Sequence, residues 1–142
     1  MSKISDFVQK ALVDNTYNEV YEFGVINNRL CQRIAVETGT KVLRNAITII
    51  TCSAIRHAFA RHGKNDEKER GQHAIKPDDF EFIYEITRNP DKIERGDRQG
   101  RKRDDIIIFS KKLNGKNYFV LMNADRGKNP ISLYFNTLFI KN

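Results

Sequence analysis

The hydrophobic positions of the first half of the chain recur every three or four residues, which is typical of amphipathic helices. This period predicts a short helix ending at Leu12 or Val13 and a second over about 17–38, with Gly39 as its stop. The apolar positions of the second helix are Val20, Phe23, Ile26, Leu30 and Ile34. Gly24 and Asn27-Asn28 weaken this helix, and a break near them is the alternative. Residues 42–51 are rich in isoleucine, valine and threonine, and they suit either a strand or the approach to the next helix.

Capping residues mark two further helices. One is predicted to start after Thr51 or Ser53, either of which can cap it, and to end at His62 because Gly63 follows. A charged loop is then expected over 64–73. Pro77 suits the first position of another helix, which has acidic residues in its first turn and ends at Asn89-Pro90.

From residue 92 onwards the pattern changes to strands. They are predicted over 92–95, 106–113, 116–124 and 131–140, with Asn114-Gly115 as a hairpin turn because both turn positions need a positive φ. The fold class is therefore α+β, with N-terminal helices packed on a C-terminal four-stranded antiparallel sheet. We expect residues 1–142 to form a single domain, with a helical extension over about 1–40 and a helix-plus-sheet core over about 41–142.

Composition and charge narrow the class of protein. The 142 residues have 39% hydrophobic and 30% charged content, which is typical of a soluble globular chain, and the net charge of +7 is compatible with nucleic-acid binding. No apolar run approaches the roughly 20 residues of a membrane span, and the N-terminus lacks a signal peptide. We therefore expect a cytoplasmic site of action and no membrane partner. Cys31 and Cys52 are expected to be buried thiols rather than a disulfide.

The segment 53–63 contains two of the three histidines and two arginines. Histidine exchanges protons near neutral pH, and arginine is well shaped to bind phosphate. On a helix, His57 and Arg61 share a face, whereas His62 lies about 140° from His57, nearer Ile55 and Ala58. His62 also lies at the negative end of the helix dipole, which favours a protonated imidazole. The segment suggests chemistry on a phosphodiester.

Other interpretations of these residues are open. Histidines at a helix end also serve as caps or surface residues, and Arg56 and Arg61 could pair with acids of the following loop. A zinc site would need His73 as a third ligand, and the spacing of His57 and His62 does not place two ligands on one face, so we predict no metal and no cofactor.

The basic loop and the last strand contain further candidates. In the loop over 96–104, Arg101, Lys102 and Arg103 could hold a phosphate backbone or could belong to a solvated hairpin loop. In the last strand, Leu133, Phe135, Thr137 and Phe139 alternate with Tyr134, Asn136, Leu138 and Ile140. Thr137 is then either a half-buried filler or a polar group that faces a ligand.

Three segments together resemble a known family. Residues 55–63 (I-R-H-A-F-A-R-H-G) are followed by 75–80 (I-K-P-D-D-F) and 89–93 (N-P-D-K-I). This succession resembles the phage-associated and polymorphic-toxin nucleases of the barnase–EndoU–colicin–RelE superfamily, over about residues 40 to 140. The resemblance implies a metal-independent ribonuclease, often acting on tRNA, that is deployed by phages or as a toxin.

The resemblance also implies roles for individual residues. His57, His62 and Arg61 match the histidines and arginine of the family helix, and Thr137 matches a hydroxyl residue of the last strand. Lys112, with Lys111 as a rival, matches a basic strand residue. The sequence departs from the family at Met122-Asn123, where an acidic residue often occurs, which leaves the histidines as the acid–base candidates.

These observations predict an endoribonuclease that leaves 2′,3′-cyclic phosphate ends. His57 would be the base, His62 the acid, and Arg61 with a strand lysine would stabilise charge on the phosphate. Arg56, Lys112, Arg101, Lys102 and Arg103 are the RNA-binding candidates. RNA, in particular tRNA, is the expected partner, and a cognate immunity or antitoxin protein is plausible. The alternatives are a non-catalytic nucleic-acid-binding module and a phage structural or interaction domain.

Overall fold

The computed structural model of the chain describes residues 3–40, 45–63, 71–96, 105–125 and 131–142. Within these ranges helices and strands alternate from α1 to β3, and the last four elements are all strands. The elements are α1 (Lys3–Val13), β1 (Val20–Val25), α2 (Asn28–Thr38), β2 (Ile47–Thr51), α3 (Cys52–His62), β3 (Gln72–His73), a 3-10 helix (Pro77–Phe82), α4 (Ile83–Arg88), β4 (Lys92–Arg95), β5 (Asp105–Leu113), β6 (Lys116–Asp125) and β7 (Ser132–Lys141).

The described strands form one seven-stranded sheet in the order β1-β2-β7-β6-β5-β4, and β3 pairs with β7 outside this path. The last four strands are the antiparallel meander that the sequence predicts. The α+β class is therefore confirmed, but the sheet has seven strands rather than four. The helices are also not all N-terminal, because β1 and β2 precede α3. The sheet is not wholly antiparallel either, since β2 runs parallel to β7.

The helix predicted over 17–38 is wrong in its first half, where β1 forms an edge strand paired with β2. Gly24 has a φ of 102°, a conformation that glycine adopts without strain, and the β1–β2 register shifts beside it. Helix α2 begins only after Asn27, whose side-chain oxygen accepts a hydrogen bond from the Leu30 N–H at 2.8 Å. The apolar residues Val20 and Phe23 of β1 are three positions apart, a spacing that is also found in helices.

The predicted ends of α3 and the predicted hairpin are confirmed. Thr51 caps α3 by accepting from the Ala54 N–H at 3.2 Å, and the Gly63 N–H donates to the Phe59 carbonyl at 2.8 Å. Asn114 and Gly115 have φ values of 53° and 77°, as a two-residue hairpin turn requires. The adjoining predictions need two changes: Pro77 begins a 3-10 helix, and β3 lies at the end of the predicted charged loop.

One face of the sheet packs against the helices. Phe80 of the 3-10 helix stacks on Phe59 of α3 at 5.5 Å and contacts Phe135 of β7 at 5.5 Å, both measured between ring centroids. Cys31 and Cys52 are buried and free, as predicted. None of the described helices is long and apolar enough to cross a lipid bilayer.

Tyr118 joins β6 to the helical layer by a hydrogen bond, which provides a test of this packing. Its hydroxyl donates to Asp79 Oδ1 at 3.3 Å, and burial, followed by the negative charge of Asp79, raises the pKa of Tyr118 to about 12. A folded-state pKa above the unfolded value of about 10 contributes stability that is complete below pH 10 and is lost as the pH rises towards 12.

We expect Tyr118→Phe to lower the free energy of unfolding at pH 7 by about 1 kcal/mol, because one hydrogen bond is lost. Between pH 10 and 12 the variant should lose less stability than the wild type, since it has no phenol to ionise at this position. Urea unfolding at each pH measures both effects. Identical losses in the two proteins above pH 10 would show that Tyr118 is not coupled to folding.

Candidate functional site

A bulge in β7 turns two polar residues to the face of the sheet opposite the helices. Leu121 of β6 pairs with Thr137, and the next residue, Met122, pairs with Phe135, so Asn136 is an extra residue on β7. Such a bulge changes which face the following residues point to. The strict alternation predicted for this strand puts Thr137 on the face of Phe135, and the bulge overturns that prediction.

Helix α3 lies where β7 has an open edge. On this edge β7 pairs with β2 over 132–134 and with β3 over 140–141, so residues 135–139 have no strand partner there in the described part of the chain. Helix α3 packs against β7. His62 is buried on the side of Ile55 and Ala58, as the helical spacing predicts, whereas His57 and Arg61 are exposed.

These features together form a cleft of about 710 Å³ on the bulged face of the sheet. A cleft of this size is within the usual range for sites that bind a small ligand. Its polar wall comes from α3, β3 and the bulge, and its apolar floor comes from β5 and β6. The lining residues are His57, Arg61, His62, Gln72, Gly96, Ile106, Ile108, Leu121, Asn136, Thr137 and Phe139.

Gln72 and Phe139 are among the neighbours that hold His62 in place. It is only 8% exposed, its Nδ1 lies 3.2 Å from Oε1 of Gln72, and its ring centroid lies 5.5 Å from that of Phe139. The contact with Gln72 and the packing on Phe139 fix the orientation of the imidazole ring. Sequence reasoning missed Gln72, since a two-residue strand has too few residues to show a period.

The hydroxyl group of Thr137 is buried and makes no hydrogen bond within the described part of the protein. The residue is 4% exposed, and its Oγ1 has no hydrogen-bond partner. A buried polar atom without a partner costs about 1–3 kcal/mol, so it needs an explanation. Its position in the cleft lining supplies one, because a ligand oxygen in the cleft could accept from it.

Sequence reasoning also missed Asn136, which adjoins Thr137 in the lining. Its side-chain nitrogen donates to Oδ1 of Asn123 on β6 at 3.1 Å. Asn123 therefore occupies the bulged face, whereas Met122 is fully buried on the helical face. The described part of the cleft lining contains no acidic side chain. Likewise, no three His, Cys, Asp or Glu side chains among the described residues are grouped as metal ligands would be.

The other predicted RNA-binding residues lie elsewhere. Arg56 donates to the backbone carbonyls of Ala11, Asp14 and Tyr17 at 2.6–3.0 Å and so joins α3 to α1 and to the loop after it. It is not part of the cleft lining. Arg101, Lys102 and Arg103 lie outside the described residues.

The two rival lysines of β5 have different surroundings. Lys111 is half-buried on the helical face, where its Nζ donates to the Asn89 carbonyl at 2.8 Å. Lys112 is exposed and, by the alternation of β5, lies on the same face as Ile108 of the cleft floor. Lys112 is four residues after Ile108, which is about 13 Å along a strand. Lys112 therefore lies on the same face of the sheet as the cleft but outside the cleft.

Comparison with known proteins gives one match. The model of the family described as phage-Barnase-EndoU-ColicinE5/D-RelE like nuclease3 matches residues 24–142, which includes every described residue of the cleft. The match begins before the segment 40–140 on which the resemblance of the sequence motifs rests. No curated protein and no solved structure matches the chain.

The unpartnered hydroxyl of Thr137 leads to a prediction about stability. We expect Thr137→Val to raise the free energy of unfolding by about 1 kcal/mol, because it removes an unsatisfied buried polar atom without changing the volume. Thr48→Val is the matched control, since the Thr48 hydroxyl donates to the Gly24 carbonyl at 2.9 Å and accepts from Arg88 at 2.8 Å. That substitution should destabilise the protein.

Urea unfolding of both variants measures the two effects. A loss of stability in Thr137→Val as large as that in Thr48→Val would mean that the Thr137 hydroxyl has a partner in the folded protein.

Proposed function

Because the chain belongs to the phage-Barnase-EndoU-ColicinE5/D-RelE like nuclease3 family, we propose that it is a metal-independent endoribonuclease. Its proposed substrate is tRNA or another structured RNA, and its proposed products carry 2′,3′-cyclic phosphate ends. The observation that supports this function best is the meeting of His57, His62, Arg61 and the Thr137 hydroxyl in one cleft. Two proton-transfer groups and two phosphate-binding donors are what this reaction needs.

In the proposed reaction His57 takes the proton of the ribose 2′-hydroxyl. The 2′-oxygen then attacks phosphorus and forms the new bond, and the bond from phosphorus to the 5′-oxygen breaks. His62 gives a proton to that leaving oxygen. Arg61 and the Thr137 hydroxyl donate to the non-bridging oxygens, whose negative charge grows in the transition state.

The surroundings of the two histidines support this division of roles. His62 ends α3, where the helix carbonyls stabilise a positive charge, and its Nδ1 lies within hydrogen-bond distance of Gln72, which holds the ring in place. His57 lies one turn before Arg61 on the exposed face of α3, so an incoming ribose can reach it. The rigid histidine is proposed as the acid and the accessible one as the base.

The proposal extends to the biological role. As a nuclease that cuts cellular RNA, the protein would act as a toxin or phage effector, with its site of action in the cytoplasm. A cognate immunity or antitoxin protein that covers the cleft would then protect the cell that makes it. Lys112, on the same face as the cleft, is proposed to contact the RNA backbone beyond the cut site.

The function is tested by incubating the protein with total tRNA in excess EDTA. We expect discrete fragments from the wild type, and a loss of about 10²–10⁴ in rate for His57→Ala and for His62→Ala, the usual effect of removing a general acid or base. His73→Ala is the matched control, because His73 lies on β3 outside the cleft lining, and it should cut at the wild-type rate.

Three results would contradict the proposal in different ways. Cutting that needs added magnesium would make the enzyme metal-dependent. Fragments whose 3′ ends are linear phosphates from the first time points, one water heavier by mass spectrometry, would exclude attack by the 2′-hydroxyl. Salt-sensitive RNA binding without any cutting would favour the non-catalytic binding module.

The Thr137 hydroxyl should matter for rate although its loss stabilises the fold. We expect Thr137→Val to cut roughly 10²-fold more slowly, as for the loss of one donor to a developing oxyanion. Thr137→Ser keeps the hydroxyl and should retain most of the activity. Measured single-turnover rates that are equal in Thr137→Val and the wild type would assign Thr137 to packing alone.

A further inference from the structure

A row of side chains crosses the bulged face of the sheet next to the cleft. In the strand register Lys92 is opposite Ser110, Ser110 is opposite Phe119, and Phe119 is opposite Phe139. The rings of Phe119 and Phe139 stack at 4.8 Å with an interplanar angle of 13°. The ring of His62 follows at 5.5 Å from Phe139, so the row ends at the proposed acid.

The row leaves one aromatic surface without a cross-strand partner. Phe139 has Phe119 beside it on β6 and His62 beside it on α3, whereas among the described residues Phe119 has a ring contact only on the side of β7. Towards β5 its neighbour is Ser110, whose side chain is too short to cover a phenyl ring. The next residue in that direction is Lys92, on a strand whose backbone lies about 9.5 Å from that of β6.

These positions define a slot, with the free face of Phe119 as one wall, Lys92 as the other and Ser110 as the floor. A flat ring in contact with Phe119 lies about 3.5–4 Å from it, which is close to the roughly 4.8 Å between strands, so such a ring would lie over Ser110. The surroundings are cationic: Nζ of Lys141 lies 5.7 Å from the centroid of Phe119 and 5.5 Å from that of Phe139. Lys92 is paired with Glu94 at 3.0 Å, but both side chains are exposed, so the pair is weak.

We propose that this slot binds an unpaired nucleobase of the RNA by stacking it on Phe119. The inference rests on the proposed ribonuclease function and adds what the substrate must look like. Aromatic side chains on an open sheet face bind single-stranded RNA in this way, and stacking accepts any base. Leu121 and Thr137 pair one row further along, two residues or about 7 Å from Phe119, so the stacked base belongs to a nucleotide next to the scissile phosphate.

The consequence is a requirement for single-stranded RNA at the cut. A base inside a duplex is stacked and paired, and it cannot enter the slot unless it leaves the helix. Loops of a folded RNA meet this requirement, whereas its stems do not. The structured RNA of the proposed function would therefore be cut in an unpaired loop.

The sequence allows a direct measurement, because the chain contains no tryptophan. Phe119→Trp puts the only indole at the proposed stacking surface, where a stacked base quenches its fluorescence. The probe is a single-stranded oligonucleotide with 2′-O-methyl groups, which has no nucleophilic hydroxyl and is not cut. The matched control is Tyr84→Trp, on α4 in the helical layer, where the native side chain is 55% exposed.

We expect saturable quenching of Phe119→Trp by the single strand, much less by the same strand annealed to its complement, and none by an abasic strand of equal length. Tyr84→Trp should show no quenching. In the otherwise native protein, Phe119→Leu keeps the apolar volume and should weaken binding of the single strand roughly 5- to 150-fold, the usual loss for one stacked base. Phe119→Tyr should bind as the wild type does.

Oligonucleotide binding without quenching at position 119, equal quenching by the abasic strand, or no binding at all would overturn the slot. The outcomes also separate the two proposals. RNA cutting that depends on His57 and His62 without quenching would leave the nuclease and remove the slot. Quenching in a protein whose His57→Ala and His62→Ala variants cut at the wild-type rate would support the slot and remove the proposed roles of the two histidines.

Discussion

The extra residue in β7 is the constraint on which the site depends. Phe135 and Leu138 must both be buried under the helices, yet the positions between them supply the polar groups of the cleft. A regular strand cannot place residues three apart on one face, since its side chains alternate. The bulge at Asn136 resolves the conflict: it keeps both apolar residues in the core and turns Asn136 and Thr137 to the opposite face.

The same strand is also the one to which the other parts of the site attach. It pairs with β6 along one edge and with β2 and β3 along the other, and α3 packs against the stretch between them. This arrangement brings His62 to Phe139 and Gln72 to His62. The position of each proposed catalytic group therefore follows from contacts with β7, and a shift in the β7 register would separate them.

Local signals in the sequence predicted the elements that local chemistry controls. Helix α3 has a threonine cap and a glycine stop, and the hairpin turn has Asn114-Gly115, so both were predicted with near-correct ends. Strand β1 was missed because its apolar spacing fits a helix, and β3 because it is held by pairing with β7 rather than by its own pattern.

The candidate site was predictable to a similar degree. The histidines and Arg61 were found from residue type and helical spacing, and Thr137 from its polarity in an apolar strand. Gln72 and Asn136 were not, because their places in the cleft depend on strand pairing and on the bulge. Such long-range features leave no periodic signal in a single sequence.

The parallel pairing of β2 with β7 has a consequence for the order in which the protein matures. These strands are distant in sequence, so the chain must close a long loop before they meet, which makes this a slow step of folding. Helix α3 directly follows β2, whereas Asn136, Thr137 and Phe139 are on the last strand. During synthesis, the histidines of α3 leave the ribosome before the strand that carries the remaining polar residues of the cleft. The cleft can assemble only after β7 has been made and has docked beside β2, so a growing chain would not yet have the geometry of the candidate site.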